Sequence, residues 1–171
     1  MAALAFGGAA VLAARASVTP RVPSALAAHA GSRTTIGVLH FDVSRIPGYS
    51  SRRPARWVIS NRYPGTWGVT DWYHDTIYIS PSVPAGYLPS VVRHEWSHEL
   101  SVRAYGGDVA AAVRAMNRTF GGPGKTGIRG AEYAADCMAI QLGATWTHYT
   151  TCPDPSWRHA AARLLRGHRL S

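Results

Sequence analysis

Two histidines four residues apart, His94 and His98, constrain this sequence more than any other feature. On an α-helix, residues i and i+4 lie on the same face one turn apart, so both imidazoles can reach a single metal ion. Glu95 directly follows the first histidine and projects beside the pair, where an activated water would lie. The pattern therefore predicts a helix that presents two metal ligands and a carboxylate base on one side.

The flanking residues predict that this helix spans residues 89–105. Pro89 is compatible only with a first helical turn, and Gly106 and Gly107 supply a C-terminal stop. Apolar residues recur at helical spacing through the segment, at Leu88, Val91, Val92, Trp96, Leu100 and Ala104. The two histidines thus fall at the centre of the helix.

A second helix is predicted over residues 129–145. Small and apolar residues form a single stripe along it, consisting of Ala131, Ala134, Ala135, Met138, Ala139 and Leu142. Glu132 and Asp136 lie one helical turn apart at the edge of this stripe. The chain has only 9 acidic residues, and a buried carboxylate needs a metal or a paired donor. These two acids are therefore candidate site residues.

The histidine pair needs a further ligand, because a catalytic zinc usually takes three protein ligands and leaves a fourth position for water. One known continuation of the pattern has a glycine three residues and a third histidine six residues after the second histidine, but this chain has Ser101 and Ala104 there. A carboxylate on the second helix is the other possibility.

With both motifs in place, the sequence resembles the gluzincin class of zinc metallopeptidases, including small bacterial members. The resemblance covers about residues 75–145 and rests on two short motifs. It implies that Glu132 is the third zinc ligand and that Asp136 accepts the Nδ1–H of His94, which would fix the orientation of that ring. The alternative makes Asp136 the ligand and Glu132 a surface acid.

Residues 35–85 change to an alternating pattern rich in β-branched and aromatic residues, which predicts strands at 35–43, 55–60, 66–70 and 76–80. Further helices are predicted at 108–120 and 155–166. The expected fold is α+β, a zincin-like domain with a small twisted sheet packed on the motif helix. In the class it resembles, the strand before that helix, here 76–80, commonly forms the sheet edge along which a peptide binds.

The length fits one domain at residues 35–171, preceded by a leader and linker at 1–34. Residues 1–14 form an apolar run that is short for a membrane span but suits a signal-peptide core. Cleavage sites are available after Ala16 and Ala30, although a basic n-region is missing. We expect a secreted or cell-envelope protein; an Ala-rich tail and a membrane anchor are the alternatives.

Cys137 and Cys152 are the two cysteines of the chain. In an exported protein an even number of cysteines predicts a disulfide, here one that ties the second helix to the Pro-rich loop after it. Two free thiols in a cytosolic protein would be the alternative.

The formal net charge of +9 comes almost wholly from arginine and favours anionic partners such as a cell envelope. The arginines are spread along the chain and form no dense basic run, so nucleic acid is not an expected partner. A DNA-associated metalloprotease is the alternative that would use both the charge and the motif.

The function predicted from these features is that of a monomeric zinc-dependent peptidase acting on peptide or protein substrates. Glu95 would act as the general base and pass the proton to the leaving amine. Members of the class often add a tyrosine or histidine that steadies the oxyanion, for which His148, Tyr149 and His159 are candidates. Glu99 is interpreted as a structural or surface acid. The competing class is a non-catalytic zinc-binding module of the cell surface, which would have no use for Glu95.

Overall fold

The computed structural model of the chain describes residues 42–49, 52 and 54–171. The predicted leader at 1–34 and most of the strand predicted at 35–43 lie outside these residues. Residues 42–44 form a short helical turn, so the strand prediction is wrong at that end. The reason is that the backbone bonds locally here: the Arg45 N–H donates to the Asp42 carbonyl oxygen at 3.2 Å.

The strands of the described residues form one mixed sheet, made of β1 (Arg56–Ile59), β2 (Gly68–Asp71) and β3 (Thr76–Ile79). Their order is β1-β3-β2, with β1 parallel and β2 antiparallel to β3. Each lies within two residues of a strand predicted from the alternating pattern. Ile77 and Ile79 of β3 are fully buried and anchor the sheet in the core.

The central position in this sheet belongs to β3, which corrects the prediction that the strand at 76–80 forms a free edge. Both edges of β3 are hydrogen-bonded. β2 pairs with one edge, and β1, which comes earlier in the chain, pairs with the other. The edge strand nearest the motif helix is β2. Its Thr70 hydroxyl donates to the backbone carbonyl of Glu95 at 2.9 Å.

Four helices follow the sheet: α1 (Leu88–Arg103), α2 (Val109–Thr119), α3 (Arg129–Gln141) and α4 (Pro155–Leu165). Each matches a helix predicted from the sequence, and α3 alone ends markedly early, four residues before the predicted limit. Gly143 explains the early end, since its φ of +91° lies in the left-handed region where a helix cannot continue. Asp108 and Asp154 cap α2 and α4 by accepting backbone N–H groups.

The core lies where α1 packs between the sheet and α3. Trp96 of α1 is fully buried there, and the predicted apolar stripe of α3 is buried along its whole length. Gly130 allows α3 to approach α2 closely, because a Cβ at this position would lie 2.5 Å from the Asn117 Cα. The fold is therefore α+β, as predicted, with helices gathered on a small mixed sheet.

A disulfide joins Cys137 of α3 to Cys152, 15 residues later and just before α4. The predicted pairing is thus confirmed, and it fits an oxidising, extracellular environment. Across the described part of the chain, no helix has both the length and the apolar character that a membrane crossing requires.

Candidate metal centre

Three side chains from two helices bring one ligand atom each to a common point. The Nε2 atoms of His94 and His98 lie 3.1 Å apart, and each lies 3.2 Å from the Glu132 Oε2. The first two residues come from successive turns of α1, and the third faces them from α3. His98 and Glu132 are buried, and His94 is nearly so. This group could hold a metal ion.

The spacing and chemistry of these atoms suit a zinc ion. In a tetrahedral site with zinc–ligand bonds of 2.0–2.1 Å, ligand atoms lie about 3.3–3.4 Å apart, close to the distances seen here. The His94 Nδ1 faces the Asp136 Oδ1 at 2.8 Å, so in the neutral imidazole the proton sits on Nδ1. The Nε2 lone pair then faces the carboxylate of Glu132, and a cation between the two atoms would satisfy both of them.

Asp136 connects the His94 ring to the segment that follows α3. Its Oδ1 accepts from His94, while its Oδ2 accepts the backbone N–H groups of Tyr149 and Thr150 at 2.6 and 2.9 Å. The carboxylate is 1% exposed and has three donors, which satisfies a buried charge. Its position is the one implied by the resemblance, whereas the alternative of Glu132 as a surface acid disagrees with the burial of Glu132.

The buried carboxylates and imidazoles polarise each other strongly. Burial alone would lower the pKa of His94, but hydrogen bonds to Asp136 and Glu132 raise it well above the ordinary value. Burial alone would raise the pKa of Glu132, yet the adjacent His98 and His94 hold it far below its usual range. Glu132 is therefore ionised at the point where the three ligand atoms meet.

Glu95 lies beside this group and is held by the edge strand β2. Its Oε2 accepts from the Thr70 hydroxyl at 2.8 Å. Gly68 leaves the space that the carboxylate occupies, because a Cβ on this glycine would lie 2.5 Å from the Glu95 Oε1. Burial raises the pKa of Glu95, partly offset by the positive potential of His94 and His98. A carboxylate with a raised pKa is better suited to take up a proton.

Of the three oxyanion candidates, Tyr149 lies closest to the ligand group. Its ring stacks on the His94 ring at a centroid distance of 5.9 Å. Burial and the nearby carboxylates, Glu132 foremost, raise its pKa, so the phenol keeps its proton and can donate. His148 packs against Tyr149 at the mouth of the same pocket. His159 is exposed on α4 and does not line this pocket.

Glu99 is a structural acid and is buried, in contrast to the surface alternative. Its Oε1 accepts from the Arg103 Nε at 2.7 Å, and Arg103 also donates to Asp75 at 2.7 Å, in the turn between β2 and β3. Burial and the hydrogen bond with Asp75 raise the pKa of Glu99 to about 7, against the effect of Arg103. The cluster ties α1 to the turn between β2 and β3.

No sequence pattern pointed to Gly68, Thr70, Trp67 or Trp146, all of which contact the site or line the pocket beside it. They belong to loops and to a strand whose approach to α1 is set by tertiary packing. No spacing rule links them to the histidines.

Comparisons of the chain with protein-family models, with curated proteins and with solved structures found no match. What the described residues define is a buried His-His-Glu group that could hold a metal ion, set in an α+β fold.

Proposed function

We propose that this chain is a zinc-dependent peptidase of the gluzincin type, with a zincin-like fold. The observation that carries the proposal is the meeting of His94, His98 and Glu132 beside a separate, buried Glu95. A purely structural metal site has no use for an additional buried acid beside the ligands, and such sites are usually closed by four protein ligands. Here three ligands and an adjacent base leave room for water.

In this proposal His94, His98 and Glu132 hold zinc, which when bound activates water and polarises the scissile carbonyl. Glu95 takes a proton at its carboxylate and later gives it to the leaving amine, which completes the hydrolysis of the peptide bond. Thr70 and Gly68 keep that carboxylate in place. The Tyr149 phenol, whose ring contacts the His94 ring, would donate a hydrogen bond to the oxyanion.

The location and the partners follow from the charge and the disulfide. Five of the chain's 9 acids are buried, namely Asp42, Glu95, Glu99, Glu132 and Asp136, so the surface is more basic than the net charge of +9 suggests. We propose a secreted or envelope-associated monomer, drawn to anionic surfaces by long-range attraction, that acts on peptides or proteins.

The decisive experiment compares Glu95→Gln with Glu99→Gln. Both replace a buried acid of α1 by its amide, but only the first removes the proposed base. Wild type and Glu99→Gln should bind about one zinc and cleave an unstructured peptide mixture or casein in a chelator-sensitive way. Glu95→Gln should keep its zinc and lose about 10²–10⁴-fold in rate.

Two results would contradict the proposal. If wild type binds less than about a tenth of an equivalent of zinc, the proposed metal site does not exist. Full zinc binding with the same cleavage background in wild type and Glu95→Gln would instead favour the non-catalytic module.

A further inference from the structure

A pocket with aromatic walls opens directly beside His94 and Glu95. Trp67, in the loop before β2, forms one wall, and Trp146, in the segment after α3, forms another. The two indole rings lie 5.4 Å apart, and Tyr87 packs on both at 5.2 Å from behind. Each of these three residues is only half-buried, so part of their aromatic surface stays accessible.

We propose that this pocket binds a large apolar or aromatic side chain of the peptide substrate, next to the scissile bond. The proposal rests on the function proposed above and names its substrate class. Val91 also lines the pocket, and so do His94 and Glu95 of the candidate site. A side chain placed here therefore brings its own backbone to the group that would hydrolyse it.

The pocket is formed in advance of binding, because both ends of its outer wall are anchored. Ser90 of α1 accepts the backbone N–H groups of Thr145 and Trp146 at 3.1 and 3.2 Å. Asp136 accepts those of Tyr149 and Thr150 at the other end. Residues 145–150 are thus fixed on the site, so little ordering is needed when a ligand enters.

An apolar occupant suits the pocket better than a cation. Aromatic walls can attract cations, but both oxygens of Asp136 already accept hydrogen bonds, and Glu95 is bound by Thr70. The acid groups near the pocket therefore already have hydrogen-bond partners within the site and are not free to bind a cationic side chain. Apolar contact with the indoles is what remains for a substrate side chain.

The test uses the hydroxamates of phenylalanine, alanine, lysine and aspartate as probes, titrated into the zinc-loaded protein by calorimetry. Phenylalanine hydroxamate should bind about 10–100-fold more tightly than alanine hydroxamate, as expected for burying a large apolar side chain. The lysine and aspartate probes should gain no such advantage. Cleavage-site mapping on a peptide mixture should show the same preference at one position flanking the cut.

The variants Trp146→Ala and Trp67→Ala should each reduce the phenylalanine preference to about threefold or less while zinc stays bound. Trp157→Ala is the matched control, because Trp157 packs on Phe120 and Tyr133 and does not line the pocket. It should retain the full preference. Circular dichroism and zinc content verify folding, and the use of two variants keeps the test valid if one of them unfolds.

Equal binding of the four probes, or a stronger response to lysine, would overturn the pocket proposal even if peptides are cleaved. If instead zinc does not bind, the acetylated amides of phenylalanine and alanine are compared on the metal-free protein by saturation-transfer NMR. A preference for phenylalanine that depends on Trp146 would then support the pocket although the proposed function has failed. The lack of a preference would overturn both.

Discussion

At the scale of single residues, the site depends on which atoms each buried carboxylate contacts. Glu132 and Asp136 lie one turn apart on α3 and are both buried, yet their partners differ. The first points its Oε2 at two imidazole Nε2 atoms, and the second supports one imidazole from behind at Nδ1. Substitutions of the two acids should therefore reduce zinc affinity to different extents.

We predict that Glu132→Gln weakens zinc binding far more than Asp136→Asn does. The first change removes a charged ligand atom. The second leaves all three ligands in place but puts an amide where three N–H donors need acceptors, and supporting residues of this kind typically contribute 10–100-fold in affinity. Competition with a coloured chelator measures both constants. Asp71→Asn, whose carboxylate binds the exposed His74 instead, serves as the control and should match wild type.

A reversed order, with Asp136→Asn losing the metal and Glu132→Gln keeping it, would exchange the proposed roles of the two acids. Equal and small effects of both changes would place the metal elsewhere.

The sequence predicted the core of the site because its geometry is local. His94, Glu95 and His98 share one helix, and Glu132 and Asp136 share another, so helical periodicity alone places each set. The residues that hold Glu95 could not be found in this way. Gly68 and Thr70 act through an approach between β2 and α1 that depends on the whole fold.

At the scale of elements, the same contrast appears in the sheet. Alternation predicted where β3 lies, but the strand order could not follow from it, because β1 pairs with β3 across the intervening β2. The helices were easier to predict, since capping acids, prolines and glycines near their ends act within a few residues. The end of α3 was missed where Gly143 adopts a left-handed conformation within an otherwise helical pattern.

The segment after α3 links the disulfide to the candidate metal site. Asp136 holds Tyr149 and Thr150 on one side, and the disulfide from the neighbouring Cys137 holds Cys152 on the other. The backbone N–H groups that orient Asp136 are therefore ordered in part by the disulfide.

We predict that replacing both cysteines by alanine lowers the free energy of unfolding by about 3 kcal/mol, as the chain-entropy model gives for a loop of this length. Zinc affinity should also fall, by about tenfold, because Asp136 loses fixed donors. Denaturant unfolding and chelator competition measure the two effects. Trp157→Ala is the control for destabilisation alone and should leave zinc affinity unchanged. A cysteine-free protein with undiminished zinc affinity would show that the disulfide does not support the site.

At the scale of the whole molecule, the cluster of Glu99, Arg103 and Asp75 joins α1 to the turn between β2 and β3. Arg103 also lies over the ring of Trp96 at 5.0 Å, so the cluster contacts the centre of the core. Asp75 adopts a φ of +49°, a conformation that aspartate tolerates better than most residues. A change of charge here should therefore alter the stability of the entire domain.

The titration of Glu99 should lower the free energy of unfolding as the pH rises through neutrality. Burial and Asp75 raise its pKa to about 7 in the folded state, above the usual carboxyl range that applies when the chain is unfolded. The folded protein then binds the proton more tightly, so its contribution to stability is complete below about pH 4.5 and is lost as the pH rises past 7. The loss between pH 5 and 8 should be about 2 kcal/mol.

Glu99→Gln isolates this effect, since the amide resembles the protonated acid and does not titrate. The free energies of unfolding of wild type and variant, measured with urea from pH 5 to pH 8, should converge at low pH, with the variant increasingly more stable above neutrality. Subtracting the two curves cancels the titration of His94, Glu95 and Glu132, which are present in both proteins. A flat difference, or one in which wild type gains stability with pH, would mean that Glu99 is ionised throughout and that its pair with Arg103 dominates the cluster.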